Sequence, residues 1–252
     1  MRGVNLKVVH VLNTDRFSGA ENVVCQIIAI MRQYKGIEMV YCSPDGPIRE
    51  AVEAKGIKFV SVKKLSISEI KRITSEVKPD LIHAHDMKAS CLAAMACKNI
   101  PLISHIHNNS YSSRGFSVKS MAYLIAGIKA KHVFWVSKSA KDGYMFRKMI
   151  RNKSSILYNI ISIDDLKGRV EEDPNKYFYD VIFLGRLAYP KNPERLIRVL
   201  RLVAQRIPNI RIAIVGTGPL ESDIAQLIEE YNLKSNIELL GFRNNPYRIL
   251  HD

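Results

Sequence analysis

Residues 7–42, KVVHVLNTDRFSGAENVVCQIIAIMRQYKGIEMVYC, hold the pattern that decides the fold. A β-rich run, Lys7–Leu12, is followed by a turn containing Gly19 and by a helical pattern over Ala20–Gln33. A second β-rich run follows at Glu38–Cys42. Strand, helix and strand in this order predict two parallel strands joined by a helix that packs on their sheet.

The same alternation continues along the whole chain. Further strands are predicted at Lys58–Val62, Asp80–Ala84, Leu102–Ile106, Val133–Val136, Ser155–Tyr158, Asp180–Leu184, Arg211–Val215 and Ile237–Leu240. Helices are predicted at Ile48–Ala54, Ser68–Val77, Lys88–Cys97, Val118–Ile128, Ser139–Met149, Pro193–Arg206 and Leu220–Tyr231, with another beginning near Pro246. We therefore predict an α/β protein with doubly wound parallel sheets.

Residues 161–176 interrupt the alternation with acidic and turn-forming side chains, among them Glu171-Glu172-Asp173-Pro174. We interpret this segment as a linker between a complete domain at residues 1–160 and a second domain at residues 177–252. A free-standing doubly wound sheet usually has five or six strands, whereas only three are predicted in the second domain. The second domain is therefore predicted to be incomplete.

Composition limits the classes of function. The chain is 47% hydrophobic and 25% charged, which is typical of a globular protein. No apolar run approaches the ~18 residues of a membrane-spanning helix, and the first residues do not resemble a signal peptide. Four scattered cysteines without a Cys-x-x-Cys motif favour free thiols in a reducing compartment. We therefore expect a cytoplasmic protein.

Positive charge is concentrated in the first two thirds of the chain. The net charge is +14, and residues 114–153 contain ten basic side chains but only one acidic side chain. Such a segment suits an anionic membrane surface, a phosphate-bearing substrate or nucleic acid. Two amphipathic segments, Val118–Lys131 and Ala140–Lys153, favour the membrane surface, and we expect no nucleic-acid partner.

Histidines stand at the ends of two neighbouring predicted strands: His83 and His85 on one, His105 and His107 on the next. Residues two apart share a face of a strand, and paired imidazoles suit zinc. Because no third ligand completes a metal motif, we expect no metal and predict a single histidine that donates a hydrogen bond to the substrate or positions it. A metal hydrolase that uses His83, His85 and His107 stays open as an alternative.

Glycines and cations mark the loops that follow several predicted strands. Gly19 opens the first helix, where free backbone N–H groups and the helix dipole favour an anion. Arg186 and Lys191 lie in the loop before another helix, and this pair suits a diphosphate. Gly216 and Gly218 form a further glycine-rich turn that lacks the third glycine of the dinucleotide motif. On these features alone, phosphate binding and a solvated surface both stay open.

Taken together, the motifs resemble the retaining glycosyltransferases of family 4, which have the two-domain GT-B fold. The residues that carry the resemblance are, in chain order, Phe17-Ser18-Gly19-Ala20-Glu21, Pro79-Asp80-Leu81-Ile82-His83-Ala84-His85, His107-Asn108, Val136-Ser137-Lys138-Ser139, Tyr158-Asn159, Phe183-Leu184-Gly185-Arg186 with Lys191-Asn192, Ile214-Val215-Gly216-Thr217-Gly218-Pro219-Leu220 and Leu240-Gly241-Phe242-Arg243.

The resemblance implies transfer of a sugar from a nucleotide-diphosphate donor, a UDP- or GDP-sugar, to a lipid-linked or polysaccharide acceptor. It implies retention at the anomeric carbon through attack on the face that the diphosphate leaves, with no metal and no cofactor. It also implies that the basic first domain binds the acceptor, peripherally on the inner face of the cell membrane.

The resemblance also implies roles for individual residues. His107 matches the histidine that contacts the transferred sugar, and Arg186 and Lys191 match the cations that neutralise the leaving diphosphate. The remaining implied donor-side residues are Gly19, Gly216, Gly218, Gly241 and Phe242. The implied acceptor-side residues are His85, Asn108 and Asn159.

One family feature does not occur before Asp252. The family carries two glutamates eight positions apart after a further strand, and Glu221 and Glu229 lack the surroundings of that motif. We therefore expect a truncated chain, and an active and an inactive truncated transferase both stay open. The alternative is a non-catalytic fragment that binds membrane or acceptor, or a subunit completed by another chain.

Overall fold

The computed structural model of the chain describes residues 6–108, 111–161 and 163–252. These residues form two compact units, divided between Ile160 and Ile161. Each unit is built on a parallel sheet, so the α/β class predicted from the alternation of strands and helices is confirmed.

The sheet of the first unit contains β1 (Leu6–Val11), β2 (Ile37–Pro44), β3 (Lys58–Val62), β4 (Leu81–Ala84), β5 (Leu102–Ile106), β6 (His132–Trp135) and β7 (Ser154–Ile156). The strands are all parallel, in the order β3-β2-β1-β4-β5-β6-β7. The order reverses between β1 and β4, and His10 of β1 lies opposite His83 of β4. Ligands of doubly wound proteins bind at such a reversal, beyond the carboxyl ends of the strands.

The helices of the first unit are α1 (Gly19–Met31), α2 (Ile48–Glu53), α3 (Ile67–Val77), α4 (Met87–Ala96), α5 (Val118–Lys129) and α6 (Lys138–Asp142). Four of them begin where the side chain of Ser66, Asp86, Ser117 or Ser137 accepts a hydrogen bond from a backbone N–H of the first turn. Each cap satisfies one of the N–H groups that a helix start leaves without a partner.

Apolar side chains cover both faces of this sheet. One face packs Ile82, Tyr123 and Trp135 into its core, and the other packs Leu12 and Tyr41 against α1 and α2. Burial on both faces explains why these strands are continuous apolar runs rather than alternating ones.

The helix predicted over Ser139–Met149 is shorter than expected. Helix α6 ends at Asp142, with Gly143 as its C-terminal cap, and a separate 3-10 helix covers Arg147–Lys153. Glycine is a poor helix former. The Tyr144 side chain is buried and its hydroxyl donates to the carbonyl of Ser120 at 2.8 Å. Glycine and this tertiary anchor together break the helix.

The second unit holds the strands β8 (Val181–Leu184), β9 (Ile212–Val215) and β10 (Ile237–Gly241), parallel in the order β10-β9-β8. Its helices are α7 (Ile163–Glu171), α8 (Pro193–Arg206), α9 (Glu221–Glu230) and α10 (Tyr247–His251). Its core is aliphatic, with Ile197, Ile214 and Ile224 fully buried.

Helix α7 occupies part of the predicted linker at residues 161–176. The amide of Asn245 donates to the carbonyl of Arg169 at 2.6 Å, and the Arg169 guanidinium lies 5.5 Å from the ring centroid of Tyr247. Acidic residues in the first turn and Arg169 in the last turn suit the helix dipole. Packing against the start of α10 therefore orders a segment whose composition is typical of a linker.

Candidate active site

Three loops lie side by side at the carboxyl edge of the second sheet. The backbone N–H of Gly185, after β8, donates to the carbonyl of Val215 at 3.0 Å. The N–H of Gly216, after β9, donates to the carbonyl of Gly241, at the end of β10, at 2.8 Å. The structure thus brings together the glycines and cations that the sequence places after three separate strands.

Two cations at this edge have no side-chain partner among the described residues. Arg186 and Lys191 are exposed, and within the described residues neither side chain has a hydrogen bond or an ion pair. Lys191 ends a 3-10 turn, and the next residue, Asn192, adopts φ 47° and caps the 14-residue helix α8 through the N–H of Arg195. Two such cations beside a helix N-terminus could attract an anion.

Close packing between loops accounts for two of the glycines. A Cβ on Gly216, whose φ is +132°, would lie 2.1 Å from the carbonyl oxygen of Gly185. A Cβ on Gly218 would lie 2.2 Å from the carbonyl oxygen of Leu187. The N–H of Leu187 donates to the carbonyl of Thr217 at 3.0 Å. These glycines therefore fit one loop against another, a role that sequence reasoning missed.

The other predicted donor-side residues are free of such packing. Gly241 adopts φ +66°, a backbone conformation that favours glycine, and Phe242 is 70% exposed. Gly19 is the first residue of α1, and a Cβ there would meet nothing within 4 Å. The hydroxyl of Ser18 donates to the buried carboxylate of Glu21 in the same turn.

Five histidines share one face of the first sheet, on or just after β1, β4 and β5. They are His10, His83, His85, His105 and His107. His10 Nδ1 lies 2.9 Å from His85 Nε2, and His85 Nδ1 lies 3.0 Å from His107 Nε2. The ring centroids of His83 and His85 are 4.1 Å apart. Those of His105 and His107 are 4.2 Å apart. We call this set the histidine cluster.

Burial keeps the histidine cluster neutral. Loss of hydration lowers the pKa of His10 to about 3, that of His105 to about 2 and that of His107 to about 4. The pKa values of His83 and His85 also lie well below the ordinary value, because both are buried and because their neighbours are imidazoles. At neutral pH all five rings are therefore uncharged.

The predicted single histidine at the edge of the sheet corresponds in position to His107, which is half-buried, while His85 is only 1% exposed. Both ring nitrogens of His85 are hydrogen-bonded to other imidazoles, so His85 does not fit the acceptor contact that the resemblance implied. Asn108 and Asn159 are exposed, after β5 and β7, two strands apart. Sequence reasoning missed His10, which joins the cluster only through the strand order.

Metal binding is the alternative interpretation of these histidines. Two groups, His10 with His83 and His85, and His85 with His105 and His107, have nitrogens within 4.8 Å of one another. His85 belongs to both groups, so an ion in either group would compete with its hydrogen bonds. Nitrogens 2.9 and 3.0 Å apart are also closer than the roughly 3.3 Å that tetrahedral zinc with bonds near 2.0 Å requires. The geometry fits hydrogen bonding better than metal ligation.

Comparison with family models identifies the class of the protein. Residues 17–165 match the model described as Glycosyltransferase Family 4, and residues 165–252 match the model described as Glycosyl transferases group 1. The chain therefore belongs to the glycosyltransferases with the GT-B fold that these models describe.

Individual relatives agree with this class. An uncharacterized glycosyltransferase of Methanocaldococcus jannaschii is 28% identical over 203 residues, which cover 72% of this chain and 50% of that protein. The Campylobacter jejuni N-acetylgalactosamine-N,N'-diacetylbacillosaminyl-diphospho-undecaprenol 4-alpha-N-acetylgalactosaminyltransferase is 35% identical over 98 residues, covering 39% of this chain and 26% of that one. The chain thus spans half or less of these two relatives.

A solved structure shares the fold. Anabaena HepE in complex with UDP and glucose superposes with a TM-score of 0.77 at 19% sequence identity, covering 97% of this chain and 71% of that one.

Proposed function

We propose that this chain transfers a sugar from a nucleotide-diphosphate donor to a lipid-linked or polysaccharide acceptor, with retention of anomeric configuration. The observation that carries the proposal is the carboxyl edge of the second sheet, where Arg186 and Lys191 stand unpaired beside three glycine-containing loops. The family to which the chain belongs supports glycosyl transfer. UDP as the nucleotide is supported by HepE, which was crystallised with UDP and glucose.

The leaving diphosphate gains charge as the glycosidic bond breaks. Fixed cations that face the developing charge stabilise the transition state more than the ground state. Arg186 can grip two phosphate oxygens through its planar guanidinium, and Lys191 supplies a compact charge at the start of α8. The acceptor hydroxyl would attack from the face that the diphosphate leaves, and a diphosphate oxygen would take its proton.

Replacing either cation is expected to weaken nucleotide binding. Charge-assisted hydrogen bonds contribute about 1.5–3 kcal/mol. We therefore expect Arg186→Ala and Lys191→Ala each to lower the affinity for UDP by about tenfold to hundredfold. Isothermal titration of the chain with UDP and, separately, GDP measures this and identifies the preferred base.

Lys234→Ala is the matched control for these variants. Lys234 is also an exposed cation of the second unit, but it precedes β10 and therefore lies toward the opposite edge of the sheet, paired with Glu229. It should leave UDP affinity unchanged. Equal affinity for wild type, Arg186→Ala and Lys191→Ala would contradict the proposed diphosphate site.

Gly19→Ala separates ligand contact from folding. Since a Cβ at Gly19 meets nothing within 4 Å and alanine favours helices, the free energy of unfolding should stay equal or rise by up to about 1 kcal/mol. If donor or acceptor approaches the backbone here, the added methyl group should lower turnover or binding. Urea unfolding alongside a transfer assay distinguishes these effects, and undiminished transfer would remove Gly19 from the site.

Helix α5 supports a membrane-bound acceptor. Val118, Met121, Ile125 and Ile128 recur at helical spacing and are 45–85% exposed. The opposite side of the helix is buried, through residues such as Tyr123. In the described residues no helix has the length and apolarity required to cross a bilayer. We propose that this apolar stripe, flanked by the basic residues of segment 114–153, lies on an anionic membrane surface.

Ile125→Asp is expected to weaken binding to anionic vesicles by about tenfold or more, because it removes apolar burial and adds repulsion. Sedimentation with phosphatidylglycerol-containing vesicles measures the affinity, and added salt should reduce it further. Leu202→Asp is the control, since Leu202 of α8 is 61% exposed and Ile125 is 58% exposed. Equal losses in both variants, or no binding by wild type, would refute the membrane surface.

A further inference from the structure

A basic cavity lies at the amino edge of the first sheet, between the loops that lead into β5 and β6. Its volume is about 610 Å³, and the residues that line it include Lys98, Lys129 and Lys131. None of the described residues that line it is acidic. We call it the lysine cavity. It lies at the opposite edge of the sheet from the strand ends that carry His85 and His107.

Two of the three lysines have ammonium groups without a partner. Lys98 and Lys131 are exposed, and among the described residues neither ammonium group has a hydrogen bond or an ion pair. Like charges that line one cavity repel each other, and an anion between them removes this repulsion. The cavity therefore has the charge of an anion site.

The loop between α4 and β5 adds backbone donors to the same cavity. The N–H groups of Lys98, Asn99 and Ile100, which all line the cavity, have no acceptor among the described residues. Such groups must bond to water or to a ligand. Successive backbone N–H groups are a common way to hold an oxyanion, so the loop suits a phosphate.

The helix ends near the cavity do not oppose an anion. The C-terminal ends of α4 and α5 carry partial negative charge, which would repel a phosphate. Lysines offset it, since Lys129 Nζ donates to the carbonyl of Ala94 at 3.5 Å and Lys153 Nζ donates to the carbonyl of Ala130 at 2.9 Å. The two unpartnered lysines of the cavity are therefore available to a ligand.

We propose that the lysine cavity binds the phosphate group of an anionic phospholipid. The phosphate chemistry follows from the cavity itself, which combines ammonium groups and backbone donors without a carboxylate. The choice of a lipid rests on the membrane surface in the proposed function. Ile128, the last member of the apolar stripe of α5, directly precedes Lys129, and Met95 of α4 is 51% exposed beside Ala94. Acyl chains against these two side chains place the headgroup at the lysines.

A bound headgroup would orient the first unit on the membrane. General attraction between basic side chains and an anionic surface does not select one end of a helix. A phosphate held in the lysine cavity fixes the C-terminal end of α5 at the level of the headgroups.

Proton–nitrogen correlation spectra of the full chain, titrated with inorganic phosphate, test the phosphate site without a membrane. We expect saturable shifts of the amide resonances of Lys98, Asn99 and Ile100. Sodium chloride at equal ionic strength is the control and should not produce these shifts. Amide resonances of the loop that stay in place up to high phosphate concentration would overturn the site.

Lys98→Gln combined with Lys131→Gln tests the lipid source. Removal of two lysines from a membrane-facing site is expected to lower affinity for phosphatidylglycerol-containing vesicles by about thirtyfold. Lys35→Gln combined with Lys64→Gln is the control, because it removes the same charge at exposed positions beside β2 and β3, away from the cavity. We expect the control pair to lower vesicle affinity by less than about threefold. Equal losses in the two pairs would show general attraction and overturn the cavity as a headgroup site.

The two experiments together separate the possible sources of phosphate. Shifts with inorganic phosphate, together with unchanged vesicle affinity in the Lys98 and Lys131 variant, would assign the cavity to a soluble phosphate and overturn the lipid source. A wild-type chain that binds no vesicles would refute the membrane surface of the proposed function. The spectra with inorganic phosphate would still decide the site itself.

Discussion

Acidification from pH 7.5 to pH 5 is expected to remove about 6 kcal/mol or more from the unfolding free energy of the first unit. Burial lowers the pKa of His10 to about 3, that of His105 to about 2 and that of His107 to about 4, whereas the value in an unfolded chain is near 6.5. Burial lowers the pKa values of His83 and His85 in the same direction. At pH 5 the unfolded chain therefore binds more protons than the folded unit, and acid favours unfolding. Each histidine contributes about 2 kcal/mol of this loss.

A loss of this size is comparable to the whole stability of an ordinary domain, about 5–15 kcal/mol. The stabilisation is present in full above pH 7 and falls as the pH drops through 6.5, since the folded pKa values lie below the unfolded one. We therefore expect the first unit to unfold near pH 5.

Urea unfolding at several pH values measures the effect through Trp135, the single tryptophan of the sequence, which is fully buried in the first unit. His105→Phe is the informative variant, because both ring nitrogens of His105 are buried without a partner. It should reduce the loss on acidification to pH 5 by about 2 kcal/mol and maintain or raise stability at pH 7.5. An unfolding free energy that stays constant between pH 7.5 and pH 5.5 would refute the neutral cluster.

Gly218→Ala is expected to destabilise the second unit by about 3 kcal/mol or more. The new methyl group would lie 2.2 Å from the carbonyl oxygen and 2.6 Å from the carbonyl carbon of Leu187, so backbone rather than a flexible side chain must move. Overpacking costs about 1–3 kcal/mol where side chains can adjust, and here they cannot. Moving the loop would also displace Arg186. We therefore expect the variant to lose UDP binding as well as stability.

Gly168→Ala provides the matched control in the same unit. Gly168 lies within α7, and a Cβ there would meet nothing within 4 Å, so alanine should raise stability by up to about 1 kcal/mol. Hydrogen exchange of the β9 amides, Ile212–Val215, compares the two variants directly. Exchange as slow in Gly218→Ala as in wild type would show that the loops separate easily and would contradict the packing argument.

Much of the fold could be predicted from local patterns. The strands Lys58–Val62 and Leu102–Ile106 and the helix Pro193–Arg206 lie where the sequence pattern predicts them. Apolar runs bounded by turn residues are properties of short segments, so they can be read without knowing what packs on them. The error at 139–149 arises where a tertiary contact outweighs composition. A tertiary contact also accompanies the helix within the predicted linker at 161–176.

Only part of the candidate site could be predicted from the sequence. Arg186, Lys191 and the glycine turns lie at one sheet edge because parallel strands all end there, a rule that needs only the order of elements along the chain. By contrast, His85 was interpreted as an acceptor contact although it is buried among imidazoles. Whether a side chain at a strand end faces a ligand or a neighbouring strand depends on which strands are neighbours.

By itself, the sequence determined that this protein has two parallel α/β sheets, a basic first unit and a cationic, glycine-rich edge on the second, since these follow from local periodicity, charge and chain order. Only the tertiary structure decided that β1 and β4 are adjacent, and so that His10 and Met39 connect to His107 through His85. It also decided that Gly216 and Gly218 serve loop packing. Such contacts join residues up to 75 positions apart along the chain, and no local pattern records them.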